Sequence, residues 1–496
     1  MSYRDLRDWL AQVEEFGEVQ HLNGADWNLE MGALCDIVCR ESPGEVPTLL
    51  FDEIKDYPPG YRALFAILSS PKRLSLTLGL PLEWEDMMAF VKAYRVKNKA
   101  MQLLTPRQVT SGPVCENVVE GNDVDLLKFP APFHHEKDGG RYLGTAHVVI
   151  IRDPEEGWVN LGTYRCMVHS KDELGLHISS GKQGRIMQDK YFKNGKPMPV
   201  AVAIGVDPAL WLASCMEVPW GVSEYEYAGA LKGMPMEIMD GPYTSLPLPA
   251  TAEIVIEGEC LPGDLKPEGP FGEWAGYYSN RALKPVLEPV IHVKRIMYRD
   301  NPILTCAQPA RPRHEHSFHR MIIRSALIWE ELEQAGVPDV QGVWCHETGG
   351  SRQLNVVSIK QRYPGHSRQA GIIASQCHAG AYVGRYVVVV DEDIDPSNTY
   401  DVLWALSTRA DPETAIQILR RCWSSSADPA MPMDAKERGA VFNSRAVIDA
   451  CRPYEWRESF PPVAQTSPEY RRRILEKWGK EILHGAGVDR TKVGRM

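Results

Sequence analysis

The pattern of apolar and polar residues divides the chain into regions of different periodicity. In the N-terminal region apolar residues recur at helical spacing over 6–16 and 28–40, and β-type apolar runs follow them. Ser2 and Asp5 are spaced as a capping box for the first helix. The pattern predicts an N-terminal α/β region over residues 1–120.

Alternation of β-branched and polar residues, broken by Gly and Pro, begins after this region. Several such runs lie between residues 143 and 305, for example PMPVAVAIGVDP and PVIHVKRIMYRD. A period of two with turn residues between the runs indicates strands. We predict a largely antiparallel barrel or sandwich within residues 121–318.

Helical and strand patterns alternate in the rest of the chain. FHRMIIRSALIWEELEQAG has helical spacing, whereas LNVVSIKQ and RYVVVVDEDID predict strands. This βαβ layout predicts a C-terminal α/β domain over residues 319–460. In residues 461–496, PEYRRRILEKWGKEIL predicts a helical arm that docks on another domain or subunit. The fold class is therefore α/β, or α+β for the chain as a whole.

Composition and charge narrow the possible functions. The 496 residues are 44% hydrophobic and 24% charged, which is typical of a folded protein of several domains. The net charge of −10 and the lack of a basic stripe argue against a nucleic-acid partner. No apolar run could span a bilayer, the N-terminus has no secretion signal, and the 11 cysteines form no CxxC pair. We expect a cytoplasmic protein without a membrane partner that acts on a small ligand.

Two polar segments of the β-rich region could bind a ligand. In NLGTYR, Asn160 and Arg165 would lie on opposite faces of a regular strand, so only a bulge at Gly162 brings them together. The alternative is a turn Asn and an exposed Arg. In ASCMEVPWGVSE, hydroxyl, carboxylate and backbone oxygens are of the kind that hard cations prefer. Ser223 in this segment could instead cap the helix that follows it.

A third polar segment, EGPFGE, places Glu268 and Glu273 on either side of a turn rich in Gly and Pro. Two carboxylates held close to each other and to Arg165 would have separated pKa values, one ready to donate a proton and one ionised. This arrangement suits general acid–base catalysis. Such a turn is, however, more often a surface loop.

NLGTYR, SCMEVPWGVSEYEYAGAL and PEGPFGEWAGYY, in this order, resemble the UbiD family of (de)carboxylases that use prenylated FMN. The resemblance covers nearly the whole chain, including DEDID, DVLWALSTRADP and the final helix. It implies a split-barrel flavin-binding domain between two α/β segments. It also implies a homodimer that exchanges its C-terminal helix and can assemble into a hexamer, with a flavin prenyltransferase as the supplier of the cofactor.

The resemblance implies which residues are catalytic. Arg165, Glu268 and Glu273 match the family's Arg and its two carboxylates, and Glu268 would be the proton donor. His316, in HEHSFH, resembles the His that faces the substrate in members acting on phenolic acids. A zinc site is the weaker interpretation, because the HExxH spacing is missing.

The resemblance also implies a set of contacts to the cofactor and its ions. The cofactor-binding residues would be Asn160, Arg165, Lys182, Gln183, Arg185, Ser214, Cys215, Met216 and Glu224. A divalent ion, usually manganese, would be bound by Asn160, Gln183 and Glu224, and a potassium ion by Ser214, Met216 and Glu224. Gln183 stands where many members have a His, so His177 is an alternative ligand. Lys182 and Arg185 would replace a phosphate-binding Lys that Cys377-His378-Ala379 lacks.

The implied reaction is the reversible, non-oxidative decarboxylation of an aromatic or heteroaromatic acid through a covalent adduct with prenylated FMN. Carbon dioxide is released and Glu268 protonates the product carbon. Hydroxybenzoate-type acids rank slightly ahead of indole- or pyrrole-carboxylates because of His316. The alternative function is a flavin-binding oxidoreductase on a split barrel, although no GxGxxG element supports a nicotinamide site. A third alternative, a non-catalytic scaffold, would not explain the combination of Arg165, Glu268 and Glu273.

Overall fold

The N-terminal region of the computed structural model, which describes residues 2–216, 218–279 and 284–482, is a small sheet covered by helices. Its elements are α1 (Leu6–Glu15), β1 (Val19–Ala25), α2 (Glu30–Glu41), β2 (Thr48–Ile54), β3 (Arg62–Phe65), α3 (Pro71–Leu78) and α4 (Met87–Ala100). β1 and β2 are parallel, and β2 and β3 are antiparallel. Asp5 caps α1 by accepting the backbone N–H groups of Arg7 and Asp8. The capping box predicted with Ser2 is therefore wrong, because the helix begins one turn later.

The central region is built on a curled antiparallel sheet. Its elements are β4 (Arg107–Gln108), β5 (Asn117–Glu120), β6 (Tyr142–Gly144), β7 (His147–Arg152), β8 (Val159–Gly162), β9 (Cys166–Val168), β10 (Glu173–Leu176), α5 (Gln183–Lys193), β11 (Met198–Ile204), α6 (Pro208–Cys215), α7 (Glu224–Lys232), β12 (Glu237–Asp240), β13 (Pro247–Pro249), β14 (Ile254–Glu268), β15 (Val286–Tyr298) and β16 (Ile303–Thr305). The order in the large sheet is β6-β9-β10-β15-β14-β11-β7-β8, and β5 also pairs with β15. The predicted antiparallel half-barrel is confirmed.

The N-terminal and central regions share strands. β16 pairs in parallel with β3, so it completes the N-terminal sheet in the order β1-β2-β3-β16. In the other direction, β5 ends at Glu120 and pairs with β15 of the central sheet. The predicted boundary at residue 120 thus falls just after a strand of the central sheet.

The C-terminal region contains a mixed five-stranded sheet. Its elements are α8 (Glu315–Gln334), β17 (Val340–Cys345), β18 (Leu354–Ile359), α9 (His366–Gln376), α10 (His378–Ala381), β19 (Tyr386–Asp391), α11 (Thr399–Arg409), α12 (Pro412–Ala415), β20 (Ile416–Trp423), α13 (Met433–Glu437), β21 (Phe442–Asp449) and α14 (Pro468–Ile482). The order is β17-β18-β19-β21-β20, with the three inner strands parallel and the outer ones antiparallel. The β18-α9-β19 crossover confirms the predicted βαβ unit.

One hydrophobic core joins the three regions. Leu10 of α1, Val148 of β7 and Ile322 of α8 are buried in the same cluster, as is Val389 of β19. The walls of any cleft between the regions are therefore anchored in a common interior. Among the described helices, none is long and apolar enough to cross a membrane.

The terminal arm, residues 461–482, differs from the body in its exposure. Its residues from 461 to 473 are exposed, and Tyr470 and Trp478 of α14 remain 48% and 44% exposed. The last part of the predicted arm, 483–496, lies outside the described residues. The expected contact of this arm with another subunit stays a prediction.

Candidate active site

A cleft lies between the central sheet and the C-terminal region, with about 1490 Å³ of space including its open mouth. Its walls come from the end of β8, the start of α5, the segment between α6 and α7, the loop after β14 and the start of α8. The cavity volume inside this space is about 300 Å³, which lies at the lower end of the ~300–1,000 Å³ of typical small-molecule pockets. The predicted site residues that line it are Asn160, Arg165, Lys182, Gln183, Ser214, Cys215, Met216, Glu224, Glu273 and His316.

Arg165 lines the cleft and joins the two carboxylates, of which Glu273 also lines the cleft whereas Glu268 is buried outside the lining. Its Nε donates to Glu268 Oε1 at 2.8 Å and its Nη2 to Glu268 Oε2 at 2.9 Å, which is a bidentate pair. Its Nη1 donates to Glu273 Oε1 at 2.9 Å. The Phe271 ring lies 5.3 Å from the guanidinium carbon. The three residues predicted to be catalytic are thus in direct contact.

The protonation state of Glu268 follows from this contact. Glu268 is 1% exposed, and burial alone would raise its pKa. The charge and hydrogen bonds of Arg165, with smaller effects of His177 and Tyr142, outweigh burial and lower the pKa. Glu268 is therefore a carboxylate in the free protein, and a proton must reach it before it can act as an acid.

A short irregular stretch between two strands, not a bulge, brings Arg165 and Asn160 to the same cleft. β8 ends at Gly162, and Arg165 follows in a short irregular stretch before β9. The predicted Gly162 bulge is therefore wrong. A Cβ at Gly162 would lie 2.3 Å from the Tyr164 ring, so the residue must be Gly for Tyr164 to fold back over it.

Tyr164 organises a second group of residues in the cleft. Its hydroxyl accepts hydrogen bonds from Asn160 Nδ2 and from the backbone N–H of Gly184, both at 3.2 Å. Gln183 Nε2 donates to the carbonyl of Val218 at 3.1 Å. Both amide groups thus use their nitrogen as a donor, which leaves the oxygens of Asn160 and Gln183 as ligands.

Glu224 adds a buried carboxylate to these amides. It is 3% exposed, and its Oε2 accepts the backbone N–H of Leu161 at 3.2 Å. Burial raises the pKa of Glu224 to about 8, against the effect of backbone hydrogen bonds, and no described Arg, Lys or His pairs with it. Ser223 caps the same helix through the N–H of Glu226, so the capping interpretation is also correct. A buried carboxylate beside two amide oxygens fits a hard cation.

The residues predicted to bind potassium lie at the end of a helix. Ser214 and Cys215 belong to the last turn of α6, and Met216 is its C-cap. The Ser214 carbonyl accepts the N–H of Thr163 at 3.3 Å, and its hydroxyl donates to the Trp211 carbonyl at 2.7 Å. Burial raises the pKa of the Cys215 thiol, so it is protonated.

His316 faces the cleft from the first turn of α8. Burial, assisted by the charge of Arg320, lowers the pKa of His316 far below its usual value, so the ring is neutral. Its Nδ1 is buried and has no hydrogen-bond partner among the described residues. A neutral imidazole with an unsatisfied nitrogen can exchange a hydrogen bond with a polar group of a substrate.

Two predicted ligands are held elsewhere. Arg185 does not line the cleft, since its Nε pairs with Asp189 at 3.1 Å on the outer side of α5. His177 lines the cleft, but its Nδ1 is bonded to Glu288 at 2.8 Å. Lys182 does lie in the cleft, with its Nζ 4.8 Å from the Tyr382 ring centre. No group of three or more His, Cys, Asp or Glu suited to a metal occurs in the described part of the chain.

Sequence reasoning missed two tyrosines that contact the site residues. Tyr142 donates to Glu268 Oε1 at 3.0 Å, and Tyr164 holds Asn160. Tyr164 lies within NLGTYR and could have been considered with it. Tyr142 reaches Glu268 only through the pairing of β6 with β9, and nothing in the sequence marks this contact.

Comparisons with known proteins agree over the whole chain. Three family models match, described as the N-terminal, Rift-related and C-terminal domains of 3-octaprenyl-4-hydroxybenzoate carboxy-lyase, over residues 10–90, 107–312 and 317–450. Pyrrole-2-carboxylic acid decarboxylase from Pseudomonas aeruginosa is 32% identical over 96% of this chain and 98% of its own length.

Solved structures are also similar to this chain over nearly its whole length. The UbiD-class enzyme HmfF from Pelotomaculum thermopropionicum in complex with FMN has a TM-score of 0.81 and 29% identity, covering 96% of this chain and 100% of that one. An evolved dimeric form of HmfF with prFMN has a TM-score of 0.78, with the same identity and coverage. The closed form of vanillic acid decarboxylase from Sedimentibacter hydroxybenzoicus has a TM-score of 0.81 and 27% identity over 97% and 100% of the chains.

The curled central sheet between two α/β regions, with its cleft, defines the architecture of a flavin-associated carboxy-lyase. The chain belongs to the UbiD family of carboxy-lyases. This finding confirms the predicted family, fold class and enzyme class. It decides against the flavin-binding oxidoreductase.

Proposed function

We propose that the protein catalyses the reversible, non-oxidative decarboxylation of an aromatic or heteroaromatic carboxylic acid with prenylated FMN as its cofactor. The observation that carries the proposal is the contact of Arg165, which lines the cleft, with Glu273 of the same lining and with the buried Glu268. The similarity to pyrrole-2-carboxylic acid decarboxylase and to HmfF, solved with FMN and with prFMN, supports it.

The chain and the cofactor have different tasks in this reaction. Side chains offer no electron sink for decarboxylation at an sp² carbon, and prenylated FMN supplies that sink when bound. Arg165 binds the substrate carboxylate through charge-assisted hydrogen bonds. Glu273 orients the guanidinium, and Phe271 covers it and excludes water. Glu268 delivers a proton to the carbon from which carbon dioxide departs.

Substrate binding prepares Glu268 for this role. In the free protein Arg165 keeps Glu268 ionised. A substrate carboxylate on Arg165 competes for the guanidinium and adds a negative charge nearby. Both effects raise the pKa of Glu268, so that it takes up a proton when the substrate is present.

The group of cleft residues around Tyr164 fits the phosphate end of the cofactor and its ions. Asn160, Gln183 and Glu224 together offer three oxygen ligands to a divalent cation such as manganese. When bound, such a cation would compensate the negative charges of Glu224 and of the cofactor phosphate. Lys182 is the cationic side chain that we assign to the phosphate, in place of Arg185. Potassium would be bound beside this site by Ser214, Met216 and Glu224.

The substrate class follows from His316. A neutral ring with a free Nδ1 can accept a hydrogen bond from a phenolic hydroxyl or from a pyrrole N–H. The relatives named for pyrrole-2-carboxylic acid and vanillic acid represent these two chemistries. We therefore propose a hydroxybenzoate-type acid or a pyrrole-carboxylate as the substrate.

The test combines a substrate screen with Glu268→Gln. The holoenzyme is assayed for carbon dioxide release from pyrrole-2-carboxylate, vanillate and 3,4-dihydroxybenzoate. Glu268→Gln keeps the size of the side chain but removes the proton, so turnover of the best acid should fall by roughly 10²–10⁴-fold. Glu259→Gln, on the same strand, is the matched control and should retain activity. Flavin content should stay constant in both variants, and unchanged turnover in Glu268→Gln would refute its role as the acid.

A further inference from the structure

The Glu268 carboxylate accepts three hydrogen bonds from described residues. Arg165 supplies two, from Nε to Oε1 and from Nη2 to Oε2. The Tyr142 hydroxyl supplies the third, to Oε1 at 3.0 Å. Both partners therefore donate to Glu268 while it is ionised, and together they supply three hydrogen bonds.

These partners respond differently when Glu268 is protonated. A carboxylic acid has one O–H that needs an acceptor, and a buried O–H without one is costly. The guanidinium of Arg165 has only donors and cannot accept. The hydroxyl of Tyr142 can rotate, so it donates to the carboxylate and accepts from the acid. With the proton on Oε1, the bond from Arg165 Nη2 to Oε2 is kept, and of the two bonds to Oε1 only the bond of Tyr142 can reverse its direction.

We propose that Tyr142 is a positioning residue that holds the Glu268 proton on Oε1 by reversing the direction of their shared hydrogen bond. The inference rests on the proposed role of Glu268 as the acid. When Glu268 is protonated, its O–H donates to Tyr142 Oη. When the proton passes to the product carbon, the Tyr142 hydroxyl turns and donates to the carboxylate. Tyr142 keeps its own proton throughout, so protons balance at Glu268 alone.

The surroundings of Tyr142 suit this role. The side chain is fully buried, and its ring lies 4.2 Å from that of Phe271 and beside Met167, its partner across β6 and β9. Packing on both sides fixes the ring, so only the hydroxyl proton is free to move. Burial, and next the charge of Glu268, raise the pKa of Tyr142 far above its usual value. The hydroxyl is thus not itself an acid at neutral pH.

The test is Tyr142→Phe in the reconstituted holoenzyme, which removes the hydroxyl and keeps the ring. The matched control is Tyr94→Phe, because Tyr94 is also buried and its hydroxyl contacts Tyr227 in a different part of the core. Turnover and KM are measured across pH with the acid that the screen finds best. Exchange of the product's ring proton with deuterated water is followed by NMR.

We expect Tyr142→Phe to keep its flavin content and its KM within twofold. Turnover and proton exchange should fall together by roughly 10- to 150-fold, the effect of one hydrogen bond to a charged group. The limb of the pH profile on which turnover falls as Glu268 loses its proton should move to higher pH. The reason is that the Glu268 carboxylate loses a hydrogen-bond donor, which raises its pKa. A purely structural role would lower stability or flavin content and leave that limb in place.

Two results would overturn the inference. The first is a wild-type pH profile and exchange rate in Tyr142→Phe. The second is a loss of turnover without a shift of the limb. Glu268→Gln, measured alongside, separates this failure from failure of the proposed function. If Glu268→Gln also exchanges normally, the assignment of the acid is wrong. If Tyr142→Phe exchanges the product's ring proton normally but Glu268→Gln does not, only the inference about Tyr142 is wrong.

Discussion

At the scale of single residues, Glu224 shows how one buried carboxylate determines its surroundings. It has a raised pKa, no described cationic partner, and two amide oxygens nearby on Asn160 and Gln183. An ionised carboxylate in such a place is costly unless a cation compensates it. Cation binding and cofactor binding should therefore be linked at this residue.

We predict that Glu224→Ala loses flavin when the purified protein is dialysed against EDTA. Without the carboxylate, the divalent ion has only neutral ligands, and the charge of the phosphate is no longer compensated. The flavin-to-protein absorbance ratio measures the loss. Glu226→Ala, two residues further along α7 and outside the cleft lining, should retain its flavin. Full flavin retention by Glu224→Ala would contradict the assigned site.

Gln183→His should bind manganese at least as tightly as the wild type. Imidazole is a stronger ligand than an amide oxygen for a first-row transition metal. Metal content after dialysis against a chelator measures the difference, with His177→Ala as the comparison. A lower metal content in Gln183→His, together with a loss in His177→Ala, would show that His177 is the ligand instead.

At the scale of elements, the end of β8 determines the position of the cofactor site. Gly162 lets the Tyr164 ring fold back over the strand end, and the Tyr164 hydroxyl then orients Asn160. We predict that Gly162→Ala displaces this ring and lowers flavin content at constant protein yield. Gly44→Ala, at a loop position where a Cβ meets nothing within 4 Å, is the control. Equal flavin content in both variants would contradict the prediction.

The start of α1 gives a prediction with a defined pH dependence. Burial would raise the pKa of Asp5, but backbone N–H groups and Arg299, at 3.0 Å, lower it. A carboxyl group whose pKa is lowered by folding stabilises the folded state at pH values above its pKa in the unfolded chain. This stability is lost as the pH falls through its pKa in the folded protein. Asp5→Asn keeps a cap but should cost roughly 1–3 kcal/mol at pH 7. Calorimetry should show a lower Tm at pH 7, and the difference from wild type should shrink as the pH falls below 3.8, the unfolded pKa of Asp, whereas Asp8→Asn should change little.

The elements that the sequence predicts well are those that local periodicity specifies. The long strands β14 and β15, the helix α8 and the β18-α9-β19 unit all follow from spacing alone. α6 was missed although Asp207 and Pro208 form a typical helix start, with Asp207 as its cap. The contact of Tyr142 with Glu268 could not be predicted, because it depends on the register of strands distant in sequence.

At the scale of the whole molecule, the terminal arm leaves apolar side chains uncovered. Tyr470 and Trp478 of α14 are 48% and 44% exposed. We predict that the protein is a dimer and that the double variant Tyr470→Ser, Trp478→Ser is a monomer, because these rings would pack on a second copy. Sedimentation velocity measures this difference. Val96→Ser, at an exposed apolar residue of α4, should not alter the assembly.

The pairing of β16 with β3 has a consequence for synthesis on the ribosome. The N-terminal sheet begins at Val19, but its last strand is not available until Thr305 has been made. At ~5–20 residues per second this interval lasts on the order of ten seconds or longer, with the outer edge of β3 unpaired. A nascent or truncated chain that ends before β16 therefore presents an open strand edge to other chains. Residues 1–120 expressed alone should aggregate for this reason, and the yield of the full-length protein should depend on how chaperones cover this edge.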